Sequence, residues 1–252
     1  MHNTPNRWQS YTFFLDYTNV LTKKYFLLTF LYVFLCIWKK WTTFVRRLNT
    51  MRYDKTDLQQ ALKVLREGGV ILYPTDTGWG IGCDATNPEA VARVYEIKRR
   101  VDSKAMLVLL DGAGKLQGYM EKVPETAWML LEAAGPQGDE AMGRQGEKAL
   151  TIIYPKAKNL AANLLAEDGS VGIRITQELF SKALCEQLRR PIVSTSANFS
   201  GEPAARIFSE IAPELLEAVD YVCHYRREDK TVAKPSSIIK IDERERITII
   251  RA

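Results

Sequence analysis

Beyond Met51 the chain alternates between helical patterns and short apolar runs of strand character. Apolar residues recur every three or four positions over residues 58–67, which predicts an amphipathic helix ending at Gly68-Gly69. The apolar run 70–73 then predicts a buried strand. Further helices are predicted at residues 90–99, 111–134 with a break near Pro124, 177–189 and 207–218. Further strands are predicted at residues 106–110, 149–154, 171–175, 192–195, 220–223, 237–241 and 247–250. This alternation indicates one α/β domain with a twisted mixed sheet and flanking helices.

The first fifty residues have a different pattern. Residues 25–38 are mostly apolar and lie between two lysine pairs. This run is shorter than the roughly 20 residues that span a bilayer, and equal charge at both ends signals no orientation. We therefore separate an apolar and basic extension, residues 1–50, from a domain, residues 51–252. Either the extension contacts a membrane, or Met51 is the true start and the preceding codons are upstream sequence. The second is favoured because a complete α/β pattern follows.

Net charge does not select a partner for this protein. The formal charge is +5, but residues 1–50 carry +6 and the remaining 202 residues carry −1. The global charge of the domain therefore argues neither for nor against a polyanion. With 46% hydrophobic and 26% charged residues, the composition is that of a packed globular protein.

Cysteine and histidine usage argues against metal and imidazole chemistry. The four cysteines have no CxxC or CxxH spacing, which favours reduced, buried thiols and a cytoplasmic protein. The two histidines, His2 and His224, are too few and too isolated for a histidine metal site or a Ser-His-Asp triad. We therefore expect no metal ligands among the side chains.

A polar segment follows the first predicted strand directly. Residues 73–84 contain the hydroxyls of Thr75 and Thr77, two carboxylates and three glycines. This segment is either a turn capped by hydroxyls or one wall of a site for a small polar ligand. The spacing matches neither a dinucleotide-binding nor a Walker motif, so both interpretations stay open.

Cations stand at a helix end and within a strand. Lys98, Arg99 and Arg100, with Lys104 close behind, either complement the dipole at the end of the predicted helix or bind phosphates or a carboxylate. Arg174 lies between apolar strand neighbours, so it is either surface-facing or a buried anion ligand. The small polar run 194–201 follows another apolar strand and suits a ligand wall better than a packed core.

Taken together, these segments resemble the YrdC-like family of threonylcarbamoyl-AMP synthases, also called TsaC. The shared marks occur in the family's order over residues 55–241. They are PTDT followed by GIGCDA (74–85), Lys-x-Arg (Lys98 and Arg100), LTIIYP (150–155), VGIR (171–174), STSANFSG (194–201) and SSII (236–239). The resemblance implies a single YrdC-like domain with a large concave ligand cavity, and residues 1–50 have no counterpart in it.

The resemblance also implies an activity. Family members condense L-threonine, bicarbonate and ATP, which carries Mg²⁺, into threonylcarbamoyl-adenylate and pyrophosphate, with no tightly bound cofactor. A tRNA threonylcarbamoyl transferase complex then receives the threonylcarbamoyl group for tRNA modification. By resemblance, Lys98 and Arg100 are the catalytic cations at the triphosphate. Further ATP ligands would be Thr151, Ser194, Ser196 and Asn198. The threonine and carbamate ligands would be Thr75, Thr77 and Arg174.

The chain departs from the family pattern at three places. Gly78-Trp79 replaces the usual Val-Tyr, which predicts a more flexible loop, and Val101 replaces a proline. Gln145-Gly146-Glu147-Lys148 replaces the proline-glycine run that usually leads into the LT strand. The glycine-rich residues 135–148 are the predicted lid. The alternative function is an RNA-binding module of the same fold, without adenylate chemistry, that contacts tRNA or double-stranded RNA. Its basic patch would comprise Lys98, Arg99, Arg100, Lys104 and Arg174.

Overall fold

A computed structural model of the chain describes residues 53–99, 106–134 and 149–252. The extension 1–50, the cations Arg100 and Lys104, the departure at Val101 and the predicted lid 135–148 lie outside these ranges. What the sequence predicts for them stays a prediction.

One mixed sheet organises the described part of the chain. Its nine strands run in the order β7-β1-β2-β6-β3-β5-β4-β8-β9. They are β1 (Ile71–Thr75), β2 (Gly78–Gly82), β3 (Leu107–Leu110), β4 (Leu150–Tyr154), β5 (Val171–Ile175), β6 (Ile192–Ser196), β7 (Tyr221–Val222), β8 (Ser237–Ile241) and β9 (Ile247–Arg251). The pairs β1–β7, β3–β5 and β4–β8 are parallel, and the other neighbours are antiparallel. The predicted α/β class is confirmed.

Helices flank this sheet, and polar side chains fix where they begin. The α-helices are α1 (Lys55–Arg66), α2 (Pro88–Ile97), α3 (Leu116–Tyr119), α4 (Glu125–Ala133), α5 (Leu179–Leu188) and α6 (Pro213–Ala218). The Asp54 side chain accepts from Thr56 N at 2.8 Å, so α1 begins earlier than predicted. Asn87 caps α2 through the N–H groups of residues 89 and 90. Gly68, at φ +81°, follows α1 in the left-handed region, as the Gly-Gly stop predicts.

Strand β2 is a difference from the prediction, which placed residues 73–84 in a loop. Its sequence, GWGIG, lacks the apolar run that marks a buried strand. The glycines are needed because β2 lies against close neighbours. A Cβ atom on Gly82 would lie 2.1 Å from the carbonyl oxygen of Val193 and 2.8 Å from the Tyr73 ring. Close packing between strands therefore determines the composition of β2.

Two long predicted helices are interrupted. Residues 111–134 contain the 3-10 turn Ala113–Lys115, the short α3, an extended stretch that ends at Pro124, and α4. Residues 207–218 split between the 3-10 turn Phe208–Glu210 and α6, which has Pro213 at its first turn. A proline disfavours the helical conformation of the residue before it, which explains both breaks.

Both faces of the sheet are buried in its central part. On β1, Ile71 and Tyr73 pack in a cluster with α1 and α5, whereas Leu72 points into the larger cluster on the opposite face. Strands covered on both faces have continuous apolar sequences, which is why the run 70–73 predicts a buried strand correctly.

The described cysteines and helices agree with the sequence. Cys83, Cys185 and Cys223 are free and buried, and burial raises the pKa of each thiol. His224 lies beside the buried carboxylate of Asp57, where its backbone N–H donates at 2.9 Å.

Within the described ranges, every helix is too short or too polar to cross a membrane.

An ion pair between the loop before β5 and β8 predicts a pH effect on stability. Lys240 Nζ lies 2.6 Å from Asp168 Oδ2, and Ser170 also donates to this carboxylate. These hydrogen bonds lower the pKa of Asp168 from its usual 3.8 to about 2. The folded state therefore holds this proton less tightly than the unfolded chain. The stabilisation is present above pH 4 and is lost as the pH falls toward 2.

Urea unfolding of wild type and Asp168→Asn between pH 6 and pH 2 tests this effect. We expect the wild type to be more stable at pH 6 and the difference to vanish toward pH 2. Glu167→Gln, at the neighbouring carboxylate, is the matched control. A stability difference that does not change over this range would contradict the assigned pKa.

Candidate functional site

A cavity of about 460 Å³ lies on the sheet where β1, β2, β4, β5 and β6 carry small and polar side chains. This volume is in the range of small-molecule sites. The structure brings six of the nine predicted site residues to its lining: Thr75, Thr77, Thr151, Arg174, Ser194 and Ser196. The concave cavity that the family resemblance implies is therefore present.

The turn between β1 and β2 supplies two hydroxyls. Thr75 is 2% exposed, and its Oγ1 donates to the carbonyl oxygen of Gly78 at 2.9 Å. Thr75 Oγ1 also accepts from Thr77 N at 3.2 Å and lies 3.3 Å from Thr77 Oγ1. Gly78, at φ +110°, begins β2 rather than a loop. The predicted turn and the predicted ligand wall are thus the same structure, because the hydroxyls shape the turn and also face the cavity.

Asp76 anchors this turn to β5 and α5. Its carboxylate accepts from the backbone N–H groups of Gln177 and Glu178 and from the Thr176 hydroxyl, each at 2.8 Å. It also lies 3.6 Å from Nε of Arg174. The sequence analysis noticed a carboxylate here but assigned it no role. Its role in the structure is to hold the threonine hydroxyls beside Arg174.

Arg174 is the buried cation of the cavity. It is 2% exposed, and its Nη1 donates to Thr77 Oγ1 at 3.2 Å. Burial lowers the pKa of this guanidinium, and the nearby Asp76 carboxylate opposes the shift. Among the described residues, Arg174 Nε has no hydrogen-bond partner. A buried guanidinium that lines the cavity next to two hydroxyls is suited to bind a carboxylate or a phosphate.

The opposite wall contains polar residues that the sequence analysis did not assign. Thr151 Oγ1 on β4 donates to Ser236 Oγ at 3.0 Å. Arg251 on β9 donates through Nε to the Ser236 carbonyl oxygen at 2.8 Å and through Nη2 to its hydroxyl at 3.2 Å. Ser236 stands in a motif that the resemblance uses. The sequence around Arg251 does not indicate a site residue, because only the pairing of β9 with β8 brings Arg251 to the cavity.

Replacement of Arg251 by methionine should weaken ligand binding modestly. Arg251 is exposed to solvent, so its charge is partly screened. We expect the KM of an anionic substrate to rise by about three- to tenfold, which corresponds to roughly 1 kcal/mol, the net contribution of a typical hydrogen bond. Arg244→Met, in the turn between β8 and β9, is the matched control and should leave the KM unchanged. Equal KM values for wild type and Arg251→Met would remove Arg251 from the site.

The loop after β6 supplies the remaining predicted residues. Ser194 and Ser196 line the cavity, and Ser196 Oγ donates to Asn198 Oδ1 at 2.5 Å. The Asn198 amide nitrogen donates to the carbonyl oxygens of Phe199 and Glu202, at 2.9 and 2.6 Å. Asn198 lies outside the cavity lining, and in this structure it orders the loop.

Lys98 also lies outside the lining, although it is predicted to bind the triphosphate. It is 2% exposed, and its Nζ donates to the carbonyl oxygens of Ser196 and Asn198, at 2.5 and 2.7 Å. A buried ammonium at this position ties α2 to the loop after β6. Its contact with a ligand stays a prediction.

The burial of two cations argues against the predicted RNA-binding patch. Lys98 and Arg174 are each 2% exposed and cannot face a phosphate backbone on the protein surface. Arg99 is exposed, but its guanidinium stacks on Phe199. The two remaining residues of the patch, Arg100 and Lys104, lie outside the described ranges.

Trp79 replaces the tyrosine that is usual in the family, and it is packed rather than mobile. Its ring lines the cavity, is 7% exposed and lies 4.8 Å from the ring of Phe208. Its carbonyl oxygen accepts from Ala197 N at 3.1 Å, which connects β2 to the loop after β6. This departure from the family pattern therefore leaves the cavity wall intact.

The chemistry available in the described part of the cavity is positioning and charge stabilisation. It combines hydroxyls, a buried guanidinium and an aromatic wall. Across the described ranges, no group of three or more His, Cys, Asp or Glu side chains lies close enough to hold a metal ion. The described thiols are buried, and burial raises their pKa values, so none is a ready nucleophile.

Comparison with known proteins agrees with this geometry. A Sua5/YciO/YrdC family model, described as Telomere recombination, matches residues 63–252. A curated threonylcarbamoyl-AMP synthase from Xanthomonas campestris pv. campestris (strain B100) is 36% identical over 166 residues, which cover 66% of this chain and 84% of the relative. Another from Pseudoalteromonas translucida (strain TAC 125) is 31% identical over 170 residues, 67% of this chain and 85% of the relative.

Solved structures share the fold. E. coli YciO has a TM-score of 0.63 and 26% identity, and the match covers 77% of this chain and 87% of that chain. P. abyssi Sua5, in a structure with L-threonine, has a TM-score of 0.63 and 24% identity over 75% of this chain and 52% of that chain. The resemblance seen in the sequence is confirmed. The chain belongs to the Sua5/YciO/YrdC family, the YrdC-like group that includes curated threonylcarbamoyl-AMP synthases.

Proposed function

We propose that this protein is a threonylcarbamoyl-AMP synthase. The observation that carries the proposal is the buried guanidinium of Arg174, held beside the Thr75 and Thr77 hydroxyls in a cavity that Ser194 and Ser196 also line. Curated relatives with this name, at 31 to 36% identity, support it. The enzyme would be a nucleotidyltransferase.

The proposed reaction consists of two bond-forming steps. The amino nitrogen of L-threonine forms a bond with the carbon of bicarbonate, and water is lost as the carbamate forms. A carbamate oxygen then attacks the α-phosphorus of ATP, and the bond to the β-phosphate oxygen breaks, so pyrophosphate leaves. No covalent bond to the protein is needed, and the side chains contribute by orienting the substrates and neutralising charge.

The threonine end of the site would lie at Arg174. A carboxylate is a strong acceptor for a guanidinium, and Arg174 lines the cavity with its Nη1 beside the Thr77 hydroxyl. The Thr75 and Thr77 hydroxyls are beside it and can contact the carbamate. This assignment places the buried cation of the cavity lining against the substrate group of fixed negative charge.

The ATP end would lie toward the loop after β6. Ser194 and Ser196 line this side, Thr151 contributes from β4, and Asn198 orders the loop. Lys98 and Arg100 are proposed as the cations of the triphosphate. Mg²⁺ enters with ATP as part of the substrate, bound by phosphate oxygens. The proposal assigns no carboxylate to the ion.

The partners follow from the product. Threonylcarbamoyl-adenylate is a reactive mixed anhydride, so we propose that a tRNA threonylcarbamoyl transferase complex consumes it in tRNA modification.

We place the protein in the cytoplasm, because its described cysteines are free, as in a reducing compartment. Direct contact with tRNA or double-stranded RNA is a secondary possibility of the same proposal, and the burial of Lys98 and Arg174 weakens it.

Pyrophosphate release by the full 252-residue chain tests the function. The protein is incubated with ATP, Mg²⁺ and bicarbonate, with and without L-threonine. Release that requires both threonine and bicarbonate is the expected result. Omission of bicarbonate separates carbamate chemistry from simple amino-acid activation, which needs no bicarbonate. If folded protein binds RNA but releases no pyrophosphate, the RNA-binding module is the correct assignment.

A further inference from the structure

Two side chains join the helix end that carries Lys98 to the loop after β6. The guanidinium carbon of Arg99 lies 4.4 Å from the centroid of the Phe199 ring. Arg99 is the middle residue of the Lys-x-Arg motif, and Phe199 lies between the asparagine and the serine of STSANFSG. We call this contact the Arg99–Phe199 pair. It connects two motifs at positions where neither side chain lines the cavity.

The backbone beside this pair is joined as well. Ser200 N donates to the carbonyl oxygen of Lys98 at 3.0 Å, and Lys98 Nζ donates to the carbonyl oxygens of Ser196 and Asn198. The helix end and the loop are thus joined by three kinds of contact: the Lys98 ammonium, a backbone hydrogen bond and the stacked Arg99 guanidinium. The Arg99–Phe199 pair adds a side-chain contact to the two hydrogen-bonded connections.

The backbone of Arg99 has an uncommon conformation. Its φ is +49°, in the left-handed region that arginine seldom occupies. Such a conformation persists where surrounding contacts hold it. Glycine at this position would avoid the cost of the left-handed conformation, but it has no side chain to contact Phe199.

We propose that the Arg99–Phe199 pair is a positioning element for the ATP side of the cavity. It holds the loop after β6 so that the Ser196 hydroxyl faces the cavity and Asn198 keeps its place above Lys98. Neither Arg99 nor Phe199 touches the substrate. This inference rests on the proposed function. A loop held in its binding conformation before the ligand arrives saves the entropy of ordering it, so the pair acts on ATP affinity.

Kinetics of four variants of the full chain test the proposal. Phe199→Leu keeps the apolar packing and removes the ring face, and Arg99→Met removes the charge. We expect each to raise the KM for ATP about two- to fivefold, the range of an exposed cation–π contact, without a change in the KM for threonine. The double variant should show no more than the larger single effect. Arg99→Lys keeps a cation over the ring and should recover most of the affinity.

A matched control separates positioning from strain. Arg189 ends α5 at φ +59° and is also exposed. Arg99→Gly and Arg189→Gly both relieve a left-handed arginine, so both should keep or raise the melting temperature. Only Arg99→Gly should raise the KM for ATP. Multiplied effects in the double variant, or equal rises in the KM for ATP and for threonine, would overturn the proposal.

The failure of the proposed function is distinguishable from the failure of this inference. If wild type releases no pyrophosphate, direct titration of ATP by calorimetry replaces the kinetic readout. The same two- to fivefold weakening is then expected in the dissociation constant. If wild type turns over but these variants match it, the synthase stands and the positioning role does not. If wild type neither turns over nor binds ATP, both are wrong.

Discussion

Replacement of Arg174 by methionine should lower threonine-dependent pyrophosphate release by about 100-fold or more. Methionine keeps much of the buried apolar volume but removes every donor. The Arg174 guanidinium is 2% exposed, so its donors are shielded from bulk water. Loss of one preorganised donor at a site of charge typically costs about 10²- to 10³-fold. The effect should fall on threonine, with its KM rising more than that of ATP.

Two comparison variants and a folding control make this result specific. Arg174→Lys keeps the charge but loses the planar fork, so it should recover little activity. Arg190→Met removes an exposed guanidinium, paired with Asp84 at 2.7 Å, and should leave kinetics unchanged. Asp76 keeps its three other donors, so Arg174→Met should still fold. Activity of Arg174→Met within about fivefold of wild type would exclude a carboxylate site at this residue.

Replacement of Lys98 by methionine should damage both activity and stability. Its ammonium is buried against the carbonyl oxygens of Ser196 and Asn198, and both would lose this charged donor, although Ser196 keeps the N–H of Asn198. Loss of a hydrogen bond to a charged group costs about 1.5–3 kcal/mol. We expect an activity loss of about 100-fold, since the predicted triphosphate cation disappears together with the order of the loop after β6.

The control for Lys98 is Lys115→Met, at an exposed lysine paired with Asp111 at 2.7 Å. It should change neither activity nor melting temperature appreciably. A Lys98→Met protein with a lower melting temperature but normal kcat and KM for ATP would limit Lys98 to a structural role. A normal melting temperature together with lost activity would mean that the carbonyl contacts contribute little to folding.

Much of the sheet was predictable because its central strands are buried on both faces. The runs that include Leu107–Leu110 and Val171–Ile175 are apolar enough to be recognised alone. Strand β2 was not, because its alternate glycines are set by contacts with β6 that no local pattern contains. The observed start of α1 differs from the predicted one for a related reason, since Asp54 caps the helix from a position outside the periodic pattern.

The site was predictable where motif residues also line the cavity. Thr75, Thr77 and Arg174 belong to short segments whose polar groups have little reason to follow buried strands. Arg251 and Asp76 could not be found in this way. Arg251 reaches the cavity only through the pairing of β9 with β8. Asp76 acts through backbone groups in the connection between β5 and α5, about a hundred residues away.

The parallel pairing of β4 with β8 has a consequence for how the protein folds. Leu150 lies opposite Ser237, so Thr151 meets Ser236 only after a long loop has closed. Loop closure of this kind is slow, because its entropy is lost before any contact compensates for it. The wall that carries Thr151, Ser236 and Arg251 should therefore form late in folding, after the hairpin of β1 and β2. A nascent or partly unfolded chain would hold the β1–β2 turn already shaped while the opposite wall is still missing. Substrates that bridge the two walls would then act as folding ligands, drawing the last strands into place.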